Sequence, residues 1–304
     1  MGVITPGIRD VEGVRIGHDT NEQDRTGCTV IAFDQLTLSA AEVRGSAPGT
    51  RELDLLQPGR SVQHADAILL TGGSAFGLRA ADGVVSGLAE QGRGFPTPAG
   101  AVPIVPAAVI YDLESGNAVA PDAEAGRRAL ERAAPLSQVE SGQVGAGTGA
   151  RLGMICGPDA VSRGGCGIAQ VEVSGGTVTA VVVLNAFGVF TGDLNGDEKA
   201  DPRRRFIDAL AEPPDVPFGR ATTLMAVITD VPCDHDTLIR CCVAAHDGLA
   251  RIIVPAHTAA DGDVAFASAL REGPINRQTA MTITMASELA IEAALRRAAT
   301  APVI

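Results

Sequence analysis

Pro217-Phe218-Gly219-Arg220-Ala221-Thr222-Thr223-Leu224-Met225-Ala226-Val227-Ile228-Thr229 leads a loop into a buried strand and sets a threonine at the strand's first position. A hydroxyl there is held by a rigid element, while the peptide before it stays in irregular backbone. Such a hydroxyl can attack the preceding carbonyl and turn the peptide into an ester. Water then releases the ester and leaves a new amino terminus. The freed α-amine, with an ordinary pKa near ~8, serves as base for the same hydroxyl. Threonine is also a plain β-former, so the junction by itself reads as ordinary strand sequence, and the functional reading needs further residues.

Downstream, Pro255 to Phe266 contains Asp261-Gly262-Asp263 at a loop-to-strand junction. Two carboxylates so placed can orient a cationic amine and a hydroxyl. They can also be turn residues accepting backbone N–H groups. Between the two stretches, Asp236 to Ile252 reads as a helix capped near Asp234 or Asp236; after the second, Ile275 to Ala299 reads as a long Ala-rich helix.

Upstream, Ala67 to Thr71 is a short buried-strand pattern, broken by Gly72-Gly73 before a helical stretch from Phe76 to about Glu90. Pro121-Asp122 opens a helix to about Ala134. Ile168–Val173 and Val178–Phe190 form a hairpin around Ser174-Gly175-Gly176. Thr191 to Gly219, rich in charge and proline, reads as an exposed loop with one helical piece at Arg205–Leu210. Strands in hairpins with helices between them predict antiparallel sheets covered by helices.

The 304 residues are 45% hydrophobic and 20% charged, which excludes disorder, and they suit a single domain. Net charge is −12 and aromatics are 3%, so the chain repels phosphate backbones and anionic membranes and has few stacking platforms. We expect no nucleic-acid or membrane partner. Arg203-Arg204-Arg205 reads as a solvated loop. Six cysteines without a repeating spacing, and no basic-then-apolar leader, suggest a cytoplasmic protein with reduced thiols.

Several motifs fail on spacing. Gly72-Gly73-Ser74-Ala75-Phe76-Gly77 has Phe76 where a nucleophile elbow requires glycine. Gly145-Ala146-Gly147-Thr148-Gly149 lacks the dinucleotide-binding spacing. Asp193 to Asp197 has its glycine misplaced for a calcium loop. Cys242 and His246 share a helix face suited to chelation, but with Cys233, His235 and Cys241 they read better as ordinary core, so no metal is expected.

Taken in order, a set of short motifs resembles the DmpA-like L-aminopeptidase/D-esterase family, which includes β-peptidyl aminopeptidases and nylon-oligomer hydrolases. The set begins with Gly13-Val14-Arg15-Ile16-Gly17-His18 and Gly27-Cys28-Thr29-Val30. It continues with Leu70 to Leu78, Val102 to Pro106, Val144 to Gly149, Ala245 to Arg251 and Asp261-Gly262-Asp263.

The resemblance implies a four-layer α-β-β-α sandwich of two mainly antiparallel sheets covered by helices, like that of the ornithine acetyltransferases. It implies self-cleavage between Ala221 and Thr222 into chains 1–221 and 222–304. Carried over, Thr222 is similar to the family nucleophile and Asn185 to its oxyanion-contacting asparagine. Asp261 and Asp263 match the acidic pair, and Tyr111 matches a family tyrosine. Two positions depart from the pattern. Arg163 stands where the family has Lys, and arginine does not shuttle protons. Ala221 stands where Asn or Gly is usual.

The implied activity is a self-processing amidohydrolase or aminopeptidase. Its substrates would be small amides, esters, short peptides or ω-amino-acid oligomers, with no cofactor and a homo-oligomeric (dimeric or tetrameric) state. An acyltransferase of the ornithine acetyltransferase type and an uncleaved, non-catalytic relative are the rival readings.

Overall fold

A computed structural model describes residues 3–4, 7–157, 161–191, 207, 210–211 and 219–300. Most of the charged stretch between Thr191 and Gly219, with Arg203 to Arg205 and the calcium-like Asp193 to Asp197, lies outside the described residues.

Ten strands share one hydrogen-bonded ladder. In chain order they are β1 (Val3–Ile4), β2 (Val14–Asn21), β3 (Thr26–Val43), β4 (Thr50–Arg51) and β5 (His64–Thr71). Then come β6 (Ala107–Val109), β7 (Gly165–Val173), β8 (Gly176–Asn185), β9 (Thr222–Thr229) and β10 (Val264–Ala269). Their spatial order is β1-β7-β8-β9-β10-β3-β5-β6-β4, with β2 also on β3. Pairing is antiparallel except for β9 with β10 and β5 with β6.

The ladder folds into two layers at β3. One side of this strand is taken by β2 over Thr26–Phe33 and then by β10 over Leu38–Val43. Between these halves, the register against β5 shifts between Ala32 and Thr37. Irregularities of this kind bend a strand and raise its twist, which lets one strand serve two sheets.

Side-chain alternation then sorts the core into three slabs. Ile31, Phe33, Ile68 and Leu70 of one layer meet Val181, Val183, Leu224, Ile228 and Phe266 of the other. The opposite faces look outward: Ala180, Val182, Leu184, Met225 and Val227 lie under α3 (His235–Ile252) and α4 (Arg277–Thr300). Val30, Ala67 and Leu69 lie under α1 (Ala80–Glu90) and α2 (Ala123–Glu131). Strands buried on both faces explain the unbroken apolar runs in the sequence. The result is the α-β-β-α sandwich.

Local signals set most element ends. Asp234 caps α3 by accepting from Thr237 N at 2.8 Å, and Asp122 caps α2 by accepting from Ala125 N at 2.9 Å. Of the boundaries that differ from the sequence reading, three change how an element begins or ends. The stretch before α1 is a 3-10 helix, Ser74–Arg79, rather than α-helix. The helix from Pro121 stops at Glu131, because Ala134 turns to bond Ile16 of β2 through both backbone groups. The strand from Val178 stops at Asn185; Val189–Phe190 pairs separately with Ile253–Val254.

Candidate active site

The ends of two neighbouring strands define the site. Asn185, the last residue of β8, is the direct Cα partner of Thr222, the first of β9. Both are buried, Asn185 completely. The peptide before Thr222 has left the ladder, and its Ala221 forms an isolated bridge with Asp261. The Ala221 carbonyl oxygen accepts two donors: the Thr222 hydroxyl at 2.6 Å and the Gly262 N–H at 2.9 Å. Donors converging on a carbonyl oxygen draw electrons from its carbon and make that carbon more electrophilic.

Gly262 has no substitute at this distance. A Cβ there would lie 2.7 Å from the Thr222 hydroxyl oxygen and 2.5 Å from the Ala47 carbonyl oxygen. The flanking aspartates have different partners. Asp263 Oδ1 accepts the Thr223 N–H at 2.7 Å, which fixes the start of β9. Its Oδ2 accepts from His257 through Nδ1 at 2.8 Å and the backbone N–H at 3.2 Å. Asp261 Oδ2 accepts the Thr258 hydroxyl at 2.6 Å and the Thr258 N–H at 2.8 Å.

Burial, and secondly the charge of Asp263, raise the Asp261 carboxyl to a pKa of about 6. Burial works against the charged form of His257, but the hydrogen bond and charge of Asp263 prevail and leave it raised. Two close carboxylates in a dry site therefore stay distinguishable: one is matched to an imidazole and the other titrates near neutrality.

Asn185 bridges to the other wall. Its Oδ1 accepts the Arg151 N–H at 2.9 Å, and its Nδ2 donates to the Arg220 carbonyl at 3.2 Å and more weakly to that of Tyr111 at 3.5 Å. The amide thus holds the residue before Ala221, while Gly262 and Thr222 hold the Ala221 carbonyl itself. Above it, Glu114 gathers Arg220, Arg151 and the Tyr111 hydroxyl.

The residues singled out from the sequence thus fall into three groups. Thr222, Asn185, Asp261 and Asp263 meet. Tyr111 touches Asn185 through its carbonyl and reaches Glu114 through its hydroxyl. Arg163 is exposed, pairs with Arg151 in a two-residue ladder, and donates to Gln143 at 2.7 Å. Among the described residues it contacts neither Thr222 nor the two aspartates.

His257, Thr258 and Glu114 escaped the sequence reading. Thr258 had a local signal, lying three residues before the aspartate it bonds, a common hydroxyl-to-carboxylate turn. Glu114 has one near neighbour, the Tyr111 hydroxyl three residues before it, but its arginine partners are 37 and 106 residues away, beyond any local pattern.

His235 is half-buried with its Nε2 3.0 Å from the Leu56 carbonyl oxygen. Cys233, Cys241 and Cys242 are buried free thiols, and burial pushes Cys241 up to about 11. His246 is packed edge-on against His257 at 4.9 Å, and burial lowers it to about 4. Among the described residues no helix is long and apolar enough to cross a membrane.

A protein of Mycobacterium leprae named as an uncharacterized aminopeptidase is 41% identical over 86% of this chain and 78% of its own length. The 6-aminohexanoate-oligomer endohydrolase of a Kocuria species is 34% identical over 85% of this chain and 73% of its own. The L-aminopeptidase D-Ala-esterase/amidase of Ochrobactrum anthropi, described as a variant of the Ntn hydrolase fold, superposes with a TM-score of 0.71. That match covers 97% of this chain and 87% of the other, with 18% identity, and shows a shared fold. Residues 7–302 match the model of peptidase family S58. The chain belongs to peptidase family S58 and is a hydrolase of peptide or amide bonds.

Proposed function

We propose that the protein cuts itself between Ala221 and Thr222 and then hydrolyses small amides through the new N-terminal threonine. The observation that carries this reading is the Ala221 carbonyl, held by the Thr222 hydroxyl at 2.6 Å and the Gly262 N–H at 2.9 Å. Thr222 Oγ1 attacks the Ala221 carbonyl carbon, and the negative charge that develops on oxygen falls on the Gly262 N–H. One such preorganised donor is worth roughly 3 kcal/mol of barrier. The peptide nitrogen takes the hydroxyl proton and leaves as the Thr222 amine, so the peptide becomes an ester. Water cleaves the ester, releasing the Ala221 carboxylate and the free threonine.

In the mature enzyme the α-amine of Thr222 receives the proton of its own hydroxyl as that hydroxyl attacks the substrate carbonyl. The same amine returns the proton to the leaving amine. Water then discharges the acyl-enzyme by the reverse proton path. Asp263 keeps the head of β9 in place through Thr223 N–H, and Asp261 supports the charged amine. Asn185, beside Thr222 and relieved of the Arg220 carbonyl after the cut, donates to the substrate oxyanion. Tyr111 supports Asn185 and Glu114.

The substrates are small compounds with a free amino end: short peptides, amino-acid amides or esters, and ω-amino-acid oligomers. The reading extends to a homo-oligomer in a reducing compartment, the latter supported by six free cysteines.

Intact mass spectrometry under denaturing conditions tests the reading. The expected result is two chains, 1–221 and 222–304, and a single inactive chain for Thr222→Ala. A single uncut chain with full amidase activity would falsify it.

A further inference from the structure

We infer that His257 is a positioning residue for the reaction: its imidazolium balances the charge of Asp263, so that the acidic pair presents one net negative charge, in place of two, to the amine of Thr222. The inference rests on the proposed role of Thr222 as nucleophile and base.

His257 stands in the left-handed backbone region, with a φ of +57° that residues other than glycine seldom adopt. In that conformation its backbone N–H and its ring Nδ1 both reach Asp263 Oδ2, at 3.2 and 2.8 Å. The second oxygen of the carboxylate, Oδ1, accepts the Thr223 N–H at 2.7 Å. One residue of chain spans at most about 3.6 Å, so Asp263 Oδ1 lies within roughly 6 Å of the Thr222 nitrogen. Scission turns that nitrogen into the amine. A carboxylate at such a range holds a proton on an amine.

The amine has to shed its proton before it can act as a base. Above about pH 6 Asp261 is ionised as well as Asp263, and the two charges together would hold the proton too firmly. His257 supplies the compensating charge. Burial works against its charged form, but the hydrogen bond and charge of Asp263 outweigh burial and leave it raised.

Among the described residues, the other basic groups around the pair are matched or neutral. Arg44, just beyond β3, meets Glu42 at 2.8 Å and Asp247 at 3.7 Å. His246 of α3 is lowered to about 4 by burial. On the facing wall, Arg220 and Arg151 are engaged by Glu114. The charge on His257 is therefore the one spent on Asp263, and it acts on the amine through that carboxylate.

The test titrates the amine itself in the purified, cut protein. No lysine lies between Thr222 and Ile304, so the α-amine of Thr222 is the single amine of the 222–304 chain. Its labelling by cyanate is followed from about pH 6 to about pH 10 through the mass of that chain, in wild type and in His257→Asn. The variant is expected to lose the amine proton at a pH higher by roughly half a unit or more. Its kcat/KM for alanine p-nitroanilide should fall further behind wild type at pH 6 than at pH 9. A purely structural role for His257 would lower the rate and leave the amine's titration where it was, so coincident labelling profiles would overturn the inference. The wild-type ring gives a second measurement that does not depend on the variant folding. Its NMR signals should titrate above the ordinary histidine value of about 6.5, and a ring that loses its charge below that value would overturn the inference too. An uncut, active wild type, with no Thr222 amine to label, would overturn the Thr222 reading and this inference with it; cut proteins with coincident profiles would overturn this inference alone.

Discussion

His257 Nδ1 lies 2.8 Å from Asp263 Oδ2, and the other oxygen of the same carboxylate receives the Thr223 N–H at 2.7 Å. One buried side chain thus couples an imidazole in a loop to the first turn-in of the strand that bears Thr222. Asp263 is 1% exposed, so its charge has protein partners in place of water.

The pH dependence of stability should report this pair. The folded-state pKa of His257 is raised, so its stabilisation is complete below the ordinary histidine value of about 6.5 and is lost as pH rises through the raised value. The groups facing the imidazole are Asp263, the neutral His246 ring and Arg44. His257 has a φ of +57°, a conformation that asparagine tolerates. Thermal melts of His257→Asn should therefore fall below wild type by a few degrees at pH 6 and converge with it by pH 9. A constant gap across that range would refute the linkage.

Thr222→Ser keeps the hydroxyl and the backbone and loses one methyl. It should still cut at 221/222, with a rate within roughly tenfold of wild type, about 1.4 kcal/mol in barrier. Time courses of chain separation on denaturing gels measure this. A serine variant as inert as Thr222→Ala would argue against attack by the hydroxyl.

Gly262→Ala places a methyl against the Thr222 oxygen and the Ala47 carbonyl. Backbone cannot yield there as a flexible side chain would, so the loop must shift. Destabilisation of roughly 1–3 kcal/mol is expected. The Gly262 N–H moves with the loop, so scission should slow by at least roughly a hundredfold. Unfolding by denaturant and mass spectrometry read the two effects separately; normal scission would show that this N–H is not the donor that matters.

Asp261 has the opposite linkage. Its pKa is raised to about 6 by burial and then by Asp263, so the native state holds a proton that the unfolded state has released. Stability contributed by this site therefore falls as pH climbs from about 4 to about 6. Asp261→Asn should flatten that decline and melt above wild type at pH 8 by a few degrees. The variant should also lose at least roughly a hundredfold in kcat/KM, because no carboxylate then supports the Thr222 amine. A variant less stable than wild type at pH 8 would contradict the burial argument.

How much of this was legible depends on the distance over which each signal acts. The Asp122 and Asp234 caps, the Ser174-Gly175-Gly176 turn and the apolar runs of β7 to β10 are local, and they appear where the residues place them. The boundaries that slipped were those where a distant partner intervened. Ala134 left its helix because the backbone of Ile16 offered it two hydrogen bonds. β8 ended early because Val189 and Phe190 found Ile253 and Val254.

Sequence by itself determined that a threonine heads a buried strand, that two aspartates flank a glycine at another strand's start, and that both strands are apolar on each face. Those follow from residue type and spacing along a few bonds of chain. Only tertiary structure decided that the two junctions lie side by side and that Gly262 donates to the Ala221 carbonyl. It also decided that His257 holds Asp263, that Glu114 is gripped by Arg220, and that Arg163 points elsewhere. These depend on the bend of β3 and on parallel pairing of β9 with β10, contacts whose register is set by packing two layers against each other. No short stretch of sequence contains that information.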